Sequence, residues 1–327
     1  MAYMDRDSLL QRARGFMESR ILLSLADLSI VDALADGPAI AADLAESLGF
    51  SERGITVLLD AATALGVLAK TGGRYSAPPE TQAVLSSGSS ESMLPMLLHM
   101  GNMWCRWDRL SDVVRTGKPA GDGGGVPMDM EAFIGAMHVI AGRAADEFAA
   151  IVSPITEKRL LDVGGASGTY AAAMLCTCPE LSATIFDQPV VVPMAQRRMA
   201  EMDLADRVAV VGGDFLVDPL PEGHDLALVS DIIHSLSYDE NVGLFTNLRR
   251  AMVTGGRVLV RDHVMEPGRT APKPGAIFAV NMLVGTRGGT CYTLAEITDI
   301  LQRTGFGQAK LIYDDQQMTG VVQAVAE

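Results

Sequence analysis

The sequence predicts an α/β chain in which a mixed, mostly parallel seven-stranded sheet follows an all-α N-terminal third. Three observations predict it. From Arg159 onward, short apolar runs alternate with helical stretches, the pattern of a parallel sheet with helices on both faces. Before that point, apolar residues recur at helical spacing. The first apolar run of the later part, Arg159-Leu-Leu-Asp-Val, opens into a glycine-rich turn. At 327 residues the chain is long for a single core. It divides into a helical N-terminal domain (1–105), linking helices that contribute to a substrate pocket (106–157) and a sheet domain (158–327).

Over residues 8–35, Leu9, Leu10, Phe16, Met17, Ile21, Leu25, Leu28 and Val31 keep helical spacing. They cover more than one face, which predicts a helix buried against another subunit or domain. Gly37-Pro38 ends it. Residues 39–80 then read as helix, turn at Gly49, longer helix and a glycine-initiated strand wing with Tyr75, a winged-helix pattern. Such a module serves either DNA binding or dimerisation. Its bases Arg53, Lys70 and Arg74 stand among Asp32, Asp36, Asp43, Glu46, Glu52, Asp60 and Glu80, the wrong sign for a phosphate footprint. Two further helices, 93–107 and 130–152, flank a loop over 117–127.

The strands of the sheet domain begin at Arg159, Ala183, Arg207, Asp225 and Gly256, each but the third followed by a helix. After a helix over 293–304, two closing strands near 309–313 and 320–326 complete the set.

Composition excludes several classes. The formal net charge of −14 argues against nucleic acid or an anionic membrane surface as partner. Cys105, Cys176, Cys178 and Cys291 have no framework spacing, so reduced thiols and a cytoplasmic location are expected. The start, MAYMDRDSLL, lacks the basic-then-apolar order of a leader, and Asp27 and Asp32 interrupt the most apolar early stretch. Cys176 and Cys178 have no matching Cys or His pair, and Asp231 with Asp262 makes no divalent site, so no metal is expected. The Met93, Met96, Met100 and Met103 cluster reads as core packing.

The chemistry starts at Asp162-Val-Gly164-Gly165-Ala166-Ser167-Gly168, after a strand and before a helix, where small residues admit a ligand to the sheet edge. The spacing is not the G-x-G-x-x-G of a pyrophosphate loop, which disfavours a nicotinamide dehydrogenase. A tight turn alone would also want glycine. Asp187 ends the second strand, where a carboxylate can accept both hydrogens of a ribose diol. Asp214 ends the third, placed to accept from an adenine amine, and Phe215 can cover the ring. Acids at strand ends also cap the elements that follow them, but three in order after a glycine turn indicate a nucleoside site. The fourth strand ends at Ser230-Asp231-Ile232-Ile233-His234, and an imidazole there can remove a proton from a phenol. A helix-terminal histidine bonded to backbone is the structural alternative.

These segments resemble the plant-type, acetylserotonin-like class of small-molecule O-methyltransferases. The resemblance rests on Leu160-LDVGGASG, Phe186-DQP, Ala205-DRV, Gly213-DFL, Asp231-IIHSLSYDE, Thr254-GGRVLVRD, Gly288-GTCYTLAEI and Leu301-QRTGF. Trp107-DRLSDVVRTGKP and the winged-helix region extend it over nearly the whole chain. The resemblance implies a Rossmann-like class I methyltransferase domain behind a winged-helix dimerisation domain, in a homodimer with intertwined N-terminal helices. It implies S-adenosylmethionine as cofactor, held by Asp162, Gly164, Gly168, Asp187, Asp214, Phe215 and Ser230, the last where the family often has lysine. His234 matches the base and Asp262 the acid that orients it. Phe133, Met137, Trp107 and Met282 are assigned to the acceptor pocket, which would take a small, aromatic molecule. Three departures stand out: Ser235-Leu236 where the family has Asp-Trp after the histidine, Cys291 where it has a second orienting Glu, and Ala166 in place of a glycine. They leave open a relative of the same fold that methylates carbon or transfers no methyl; a winged-helix transcription regulator is the other alternative.

Overall fold

The computed structural model describes residues 4–120, 130–315 and 319–327. The chain divides into two compact units: Met1–Cys105 with Pro127–Val139, and Arg106–Val126 with Ile140–Glu327. The expected loop over 117–127 falls mostly outside the described residues.

In the first unit, α1 (Arg6–Asp27) starts where the Asp5 carboxylate accepts from the Ser8 amide at 2.8 Å. It stops short of the expected residue 35. Ser29 takes a left-handed φ of 52°, and a separate turn, α2 (Ile30–Ala33), follows. That break brings Leu25, Ile30, Val31 and Leu34 into one core with Leu44 and Leu59, more burial than a straight helix would give them. The winged-helix order is present: α3 (Ala41–Leu48), Gly49 at φ 69°, α4 (Glu52–Ala64), then β1 (Ala69–Thr71) and β2 (Arg74–Ser76) paired antiparallel. Tyr75 is buried beneath this wing, and its hydroxyl donates to Asp60 at 2.8 Å. Next come α5 (Pro79–Leu85), α6 (Leu94–Trp107), α7 (Leu110–Thr116) and α8 (Met130–Ile151). No helix among the described residues is long and apolar enough to cross a membrane.

The sheet unit continues with β3 (Arg159–Val163), α9 (Thr169–Thr177), β4 (Ser182–Asp187), α10 (Val192–Glu201), β5 (Val208–Gly212), β6 (His224–Ser230), α11 (Tyr238–Ala251) and β7 (Met252–Met265). Then follow α12 (Lys273–Gly285), β8 (Tyr292–Thr293), α13 (Leu294–Arg303), β9 (Phe306–Asp314) and β10 (Thr319–Ala326). The strand order is β5-β4-β3-β6-β7-β10-β9, with the two-residue β8 attached to β7. The first five strands are parallel, and β10 runs antiparallel between β7 and β9. Two apolar layers explain why these strands read as continuous runs. One holds Leu161, Val163, Val229 and Val260 against α11 and α13; the other holds Leu160, Ile185, Leu228 and Leu259 against α9 and the end of α8. Capping boxes at Ser237/Glu240 and Thr293/Glu296 set where α11 and α13 begin. Strand order reverses between β3 and β6, which opens a crevice beyond their C-terminal ends.

Candidate active site

The glycine loop leaves β3 at this crevice. Gly164 (φ 69°) donates to the Phe186 carbonyl at 2.8 Å, and Gly168 (φ 74°) donates to Gly165 at 2.7 Å. A Cβ on Gly164 would run into Ile232, and one on Gly168 would lie 2.5 Å from Ile185. The glycines are therefore required by left-handed backbone and by packing inside the protein, as well as by any ligand's approach. Gly168→Ala is expected to cost about 1–3 kcal/mol, read as a lower urea midpoint; an unchanged midpoint would show that the loop tolerates the added methyl. Ala166 carries its own positive φ of 49° and occupies the family's glycine position.

Asp187, half-buried at the end of β4, accepts from the Ala166 amide at 2.8 Å and from the Gln188 amide at 2.7 Å. It therefore clamps the loop, and each oxygen keeps a lone pair for a further donor. Burial raises its pKa against the pull of those two amides. Asp214 is exposed beyond β5, with one oxygen accepting from Leu216 at 2.9 Å, and the half-buried Phe215 packs on the core beside it. Asp162 is only 2% exposed. Burial, followed by the charge of Asp187, pushes it up to about 7. Ser230 donates to Asp231 at 3.0 Å. The acceptors at the ends of β4 and β5, with a ring beside them, fit the diol and base of a nucleoside.

His234 lies in a single 3-10 turn, Ile233–Ser235, and α11 begins only at Tyr238. The turn is held from below: the buried Asn241 donates to the Ile233 carbonyl at 2.9 Å. His234 Nδ1 meets Asp262 Oδ1 at 2.8 Å, so the imidazole is bonded to a carboxylate rather than to backbone. Asp262 is 1% exposed and also accepts from the His263 amide at 2.7 Å. Burial alone would discharge the imidazole. The Asp262 charge and hydrogen bond, with the charge of Asp231, outweigh it and hold the His234 pKa above its ordinary value.

The departures from the family pattern acquire a geometry. Ser235 turns its hydroxyl back to the Ile232 carbonyl at 2.7 Å, closing its own turn. Cys291 is buried and donates to the Gly275 carbonyl at 3.3 Å. Burial and the nearby Asp262 charge push that thiol up to about 12, so it stays neutral. One carboxylate, Asp262, is left to orient His234.

Residues the sequence reasoning missed surround the base. His263 stacks on His234 with ring centroids 5.3 Å apart, and Phe278 of α12 meets both rings edge-on at 5.0 and 4.3 Å. Arg261 pairs with Asp231. The signal was available: Arg261-Asp262-His263 interrupts an apolar strand, where a charge is seldom buried without a partner. Ligand atoms of His234, Asp262 and His263 lie within 4.8 Å of one another, the one such group among the described residues. Its imidazoles stack, however, and Nδ1 is engaged by the carboxylate.

Of the assigned acceptor-pocket residues, Met282 is buried in α12 and Trp107 donates its indole N–H to Asn281 of that helix at 2.9 Å. Met137 is half-buried and belongs to the first unit; the Phe133 side chain lies outside the described residues.

Comparison with known proteins matches this architecture. A family model of the O-methyltransferase domain covers residues 130–307, and one of the O-methyltransferase dimerisation domain covers 10–87. The chain is 30% identical over 322 residues to 3-hydroxy-5-methyl-1-naphthoate 3-O-methyltransferase of Streptomyces sahachiroi, covering 96% of this chain and 93% of that one. It is 32% identical over 340 residues to acetylserotonin O-methyltransferase of Mus musculus, covering 95% and 86%. The crystal structure of human N-acetylserotonin methyltransferase in complex with SAM superposes with a TM-score of 0.85 at 25% identity, over 100% of this chain and 99% of that one. A sheet of this order, a glycine turn at its switch point and two matched domains in sequence make the chain a member of the S-adenosylmethionine-dependent O-methyltransferase family.

Proposed function

We propose that the acceptor is a phenolic hydroxyl on a small aromatic molecule and that His234 is the general base. The observation that carries this is the His234–Asp262 pair, set at the crevice where β3 and β6 diverge. S-adenosylmethionine, when bound, supplies a methyl group already activated by its sulfonium. What remains for the protein is orientation and removal of one proton. With Nδ1–H donated to Asp262, the tautomer leaves Nε2 as the acceptor for that proton. Asp262 then stabilises the imidazolium. Phe278 and Met282 on α12 offer an apolar wall, and the edge of Phe278 limits the tilt of the imidazole. Asp187 and Asp214 would take the ribose and adenine, Phe215 the adenine face, and Gly164, Gly168, Asp162 and Ser230 the rest of the cofactor.

The relative from Streptomyces sahachiroi is named for a hydroxynaphthoate, which recommends fused-ring phenols as first acceptors. With methyl-labelled S-adenosylmethionine and a panel of such phenols, the label is expected on oxygen. Label on ring carbon, or none on any phenol, would reject the phenolic reading.

The homodimer is proposed to form through the N-terminal helices, in a reducing cytoplasm that suits four free thiols. Leu9, Leu10, Phe16 and Met17 are 46–59% exposed on α1, a row of apolar side chains of which all but Leu9 lie within the matched dimerisation domain. Each contributes about 1.5–3 kcal/mol when buried. Replacing Leu10 and Phe16 together with Asp is expected to convert dimer to monomer in sedimentation velocity; a dimer persisting at micromolar concentration would place the interface elsewhere.

A further inference from the structure

The 3-10 turn that carries His234 is held at both ends by side chains from outside it. A turn of three residues closes few bonds of its own. The Ser235 amide donates to the Ile232 carbonyl at 3.0 Å, and the Leu236 amide reaches the Ile233 carbonyl only at 3.3 Å. At the far end the buried Tyr292 hydroxyl donates to the Leu236 carbonyl at 2.7 Å. At the near end stands Asn241, fully buried one turn into α11. Its side-chain nitrogen donates to the Ile233 carbonyl at 2.9 Å and to the Ser237 carbonyl at 3.2 Å. Carbonyls only accept, so the orientation of the amide is settled: the NH₂ faces the turn. Its Oδ1 faces away and, among the described residues, has no hydrogen-bond partner.

Asparagine is a weak helix former, and a buried amide with one end unpaired costs free energy. Both carbonyls it reaches already have backbone donors, the amides of Leu236 and of Asn241 itself. An apolar side chain of similar volume would therefore suit the fold as well. What Asn241 adds is local to the base. The Ile233 carbonyl and the His234 amide belong to one planar peptide unit, in which C=O and N–H point to opposite sides. On one side Asn241 donates to that carbonyl; on the other the His234 amide faces Asp262 Oδ2 at 3.4 Å. The imidazole extends from the same unit, and its Nδ1 meets Oδ1 of that carboxylate at 2.8 Å. The chain before β8 packs against the turn as well, since a Cβ on Gly289 would lie 2.5 Å from the His234 carbonyl. We propose that Asn241 is a positioning residue, which fixes the tilt of the Ile233–His234 peptide and with it the placement of the imidazole on Asp262.

The proposal rests on His234 as the base, and a readout that needs no turnover separates the two. Imidazole nitrogen chemical shifts, measured above the pH at which the ring titrates, report its tautomer. The wild-type protein is expected to show His234 with its proton on Nδ1, the signal being identified by its absence from His234→Ala. In Asn241→Leu the bond to Asp262 loosens, and the signal is expected to move toward a mixture with the Nε2–H form. With a phenol methylated in the labelling panel, the same variant is expected to lose about 10- to 100-fold in kcat. Acceptor KM and S-adenosylhomocysteine affinity are expected to stay within twofold, and the urea midpoint close to that of the wild type. Should the leucine variant fail to fold, Asn241→Ala removes the donors without adding bulk and carries the same expectations. An unmoved tautomer would overturn the proposal, as would an unchanged kcat where His234→Ala abolishes turnover. Parallel losses of kcat, S-adenosylhomocysteine affinity and urea midpoint would overturn it too, as the mark of a merely structural residue. Turnover that survives His234→Ala would instead strike the base reading, and the tautomer would still decide whether Asn241 places the ring.

Discussion

His234→Ala is expected to lower kcat by about 10²- to 10⁴-fold while S-adenosylhomocysteine affinity stays within twofold. The imidazole is bonded to the buried Asp262 carboxylate, stacks on His263 and meets Phe278 edge-on, an arrangement that fits a group accepting a proton near neutral pH. The rate left over is what orientation against the sulfonium supplies. The acid limb of kcat/KM carries a sign. A base acts when neutral, and the His234 pKa lies above its ordinary 6.5, so activity rises with pH through a midpoint above 6.5. The linked stability runs the other way: it is full below 6.5 and is lost as pH rises through the folded value. Full turnover by the alanine variant on a true acceptor would end the case for His234 as base.

Asp262→Asn is expected to cost up to about 10⁴-fold in kcat, a loss out of proportion to its size. Asp262 Oδ1 accepts from both His234 Nδ1 and the His263 amide, and Oδ2 faces the His234 amide at 3.4 Å. An asparagine oxygen at the first position turns its NH₂ toward a backbone donor; the flipped amide drives Nδ1 to accept and moves the imidazole proton to Nε2, the wrong tautomer for a base. The variant also separates orientation from charge. With the carboxylate gone, burial acts on the imidazole with only Asp231 opposing it, so the acid limb moves to lower pH even as the plateau falls. A plateau loss with an unmoved limb would assign Asp262 to structure alone. Ser235 and Cys291 supply no second carboxylate at the two positions where the resemblance implies one.

Much of this site was legible in the residues. Asp187 and Asp214 follow apolar runs, and a strand in a parallel sheet must deliver its last residue to the same edge as its neighbours. That regularity makes the cofactor edge readable from spacing. His234 was readable as a candidate from its strand end, and the resemblance paired it with Asp262; spacing alone could not, because their bond joins residues 28 apart and has no local signature. The ring of Phe278 and the Arg261–Asp231 pair escaped for the same reason. The break at Ser29 escaped for another. Helical spacing continues through it, and the left-handed residue is selected by the core it completes, not by its own preference.

The succession of strands and helices along the chain, the glycine turn and the family were all readable from the residues, because hydrophobic period and short-range backbone demands are local properties. The folded chain added the 2.8 Å bond that joins Asp262 to the base, the local bonds that occupy Ser235 and Cys291, and the meeting of the Arg261 guanidinium with the Tyr170 ring. The first and last are set by how the sheet stacks its edges.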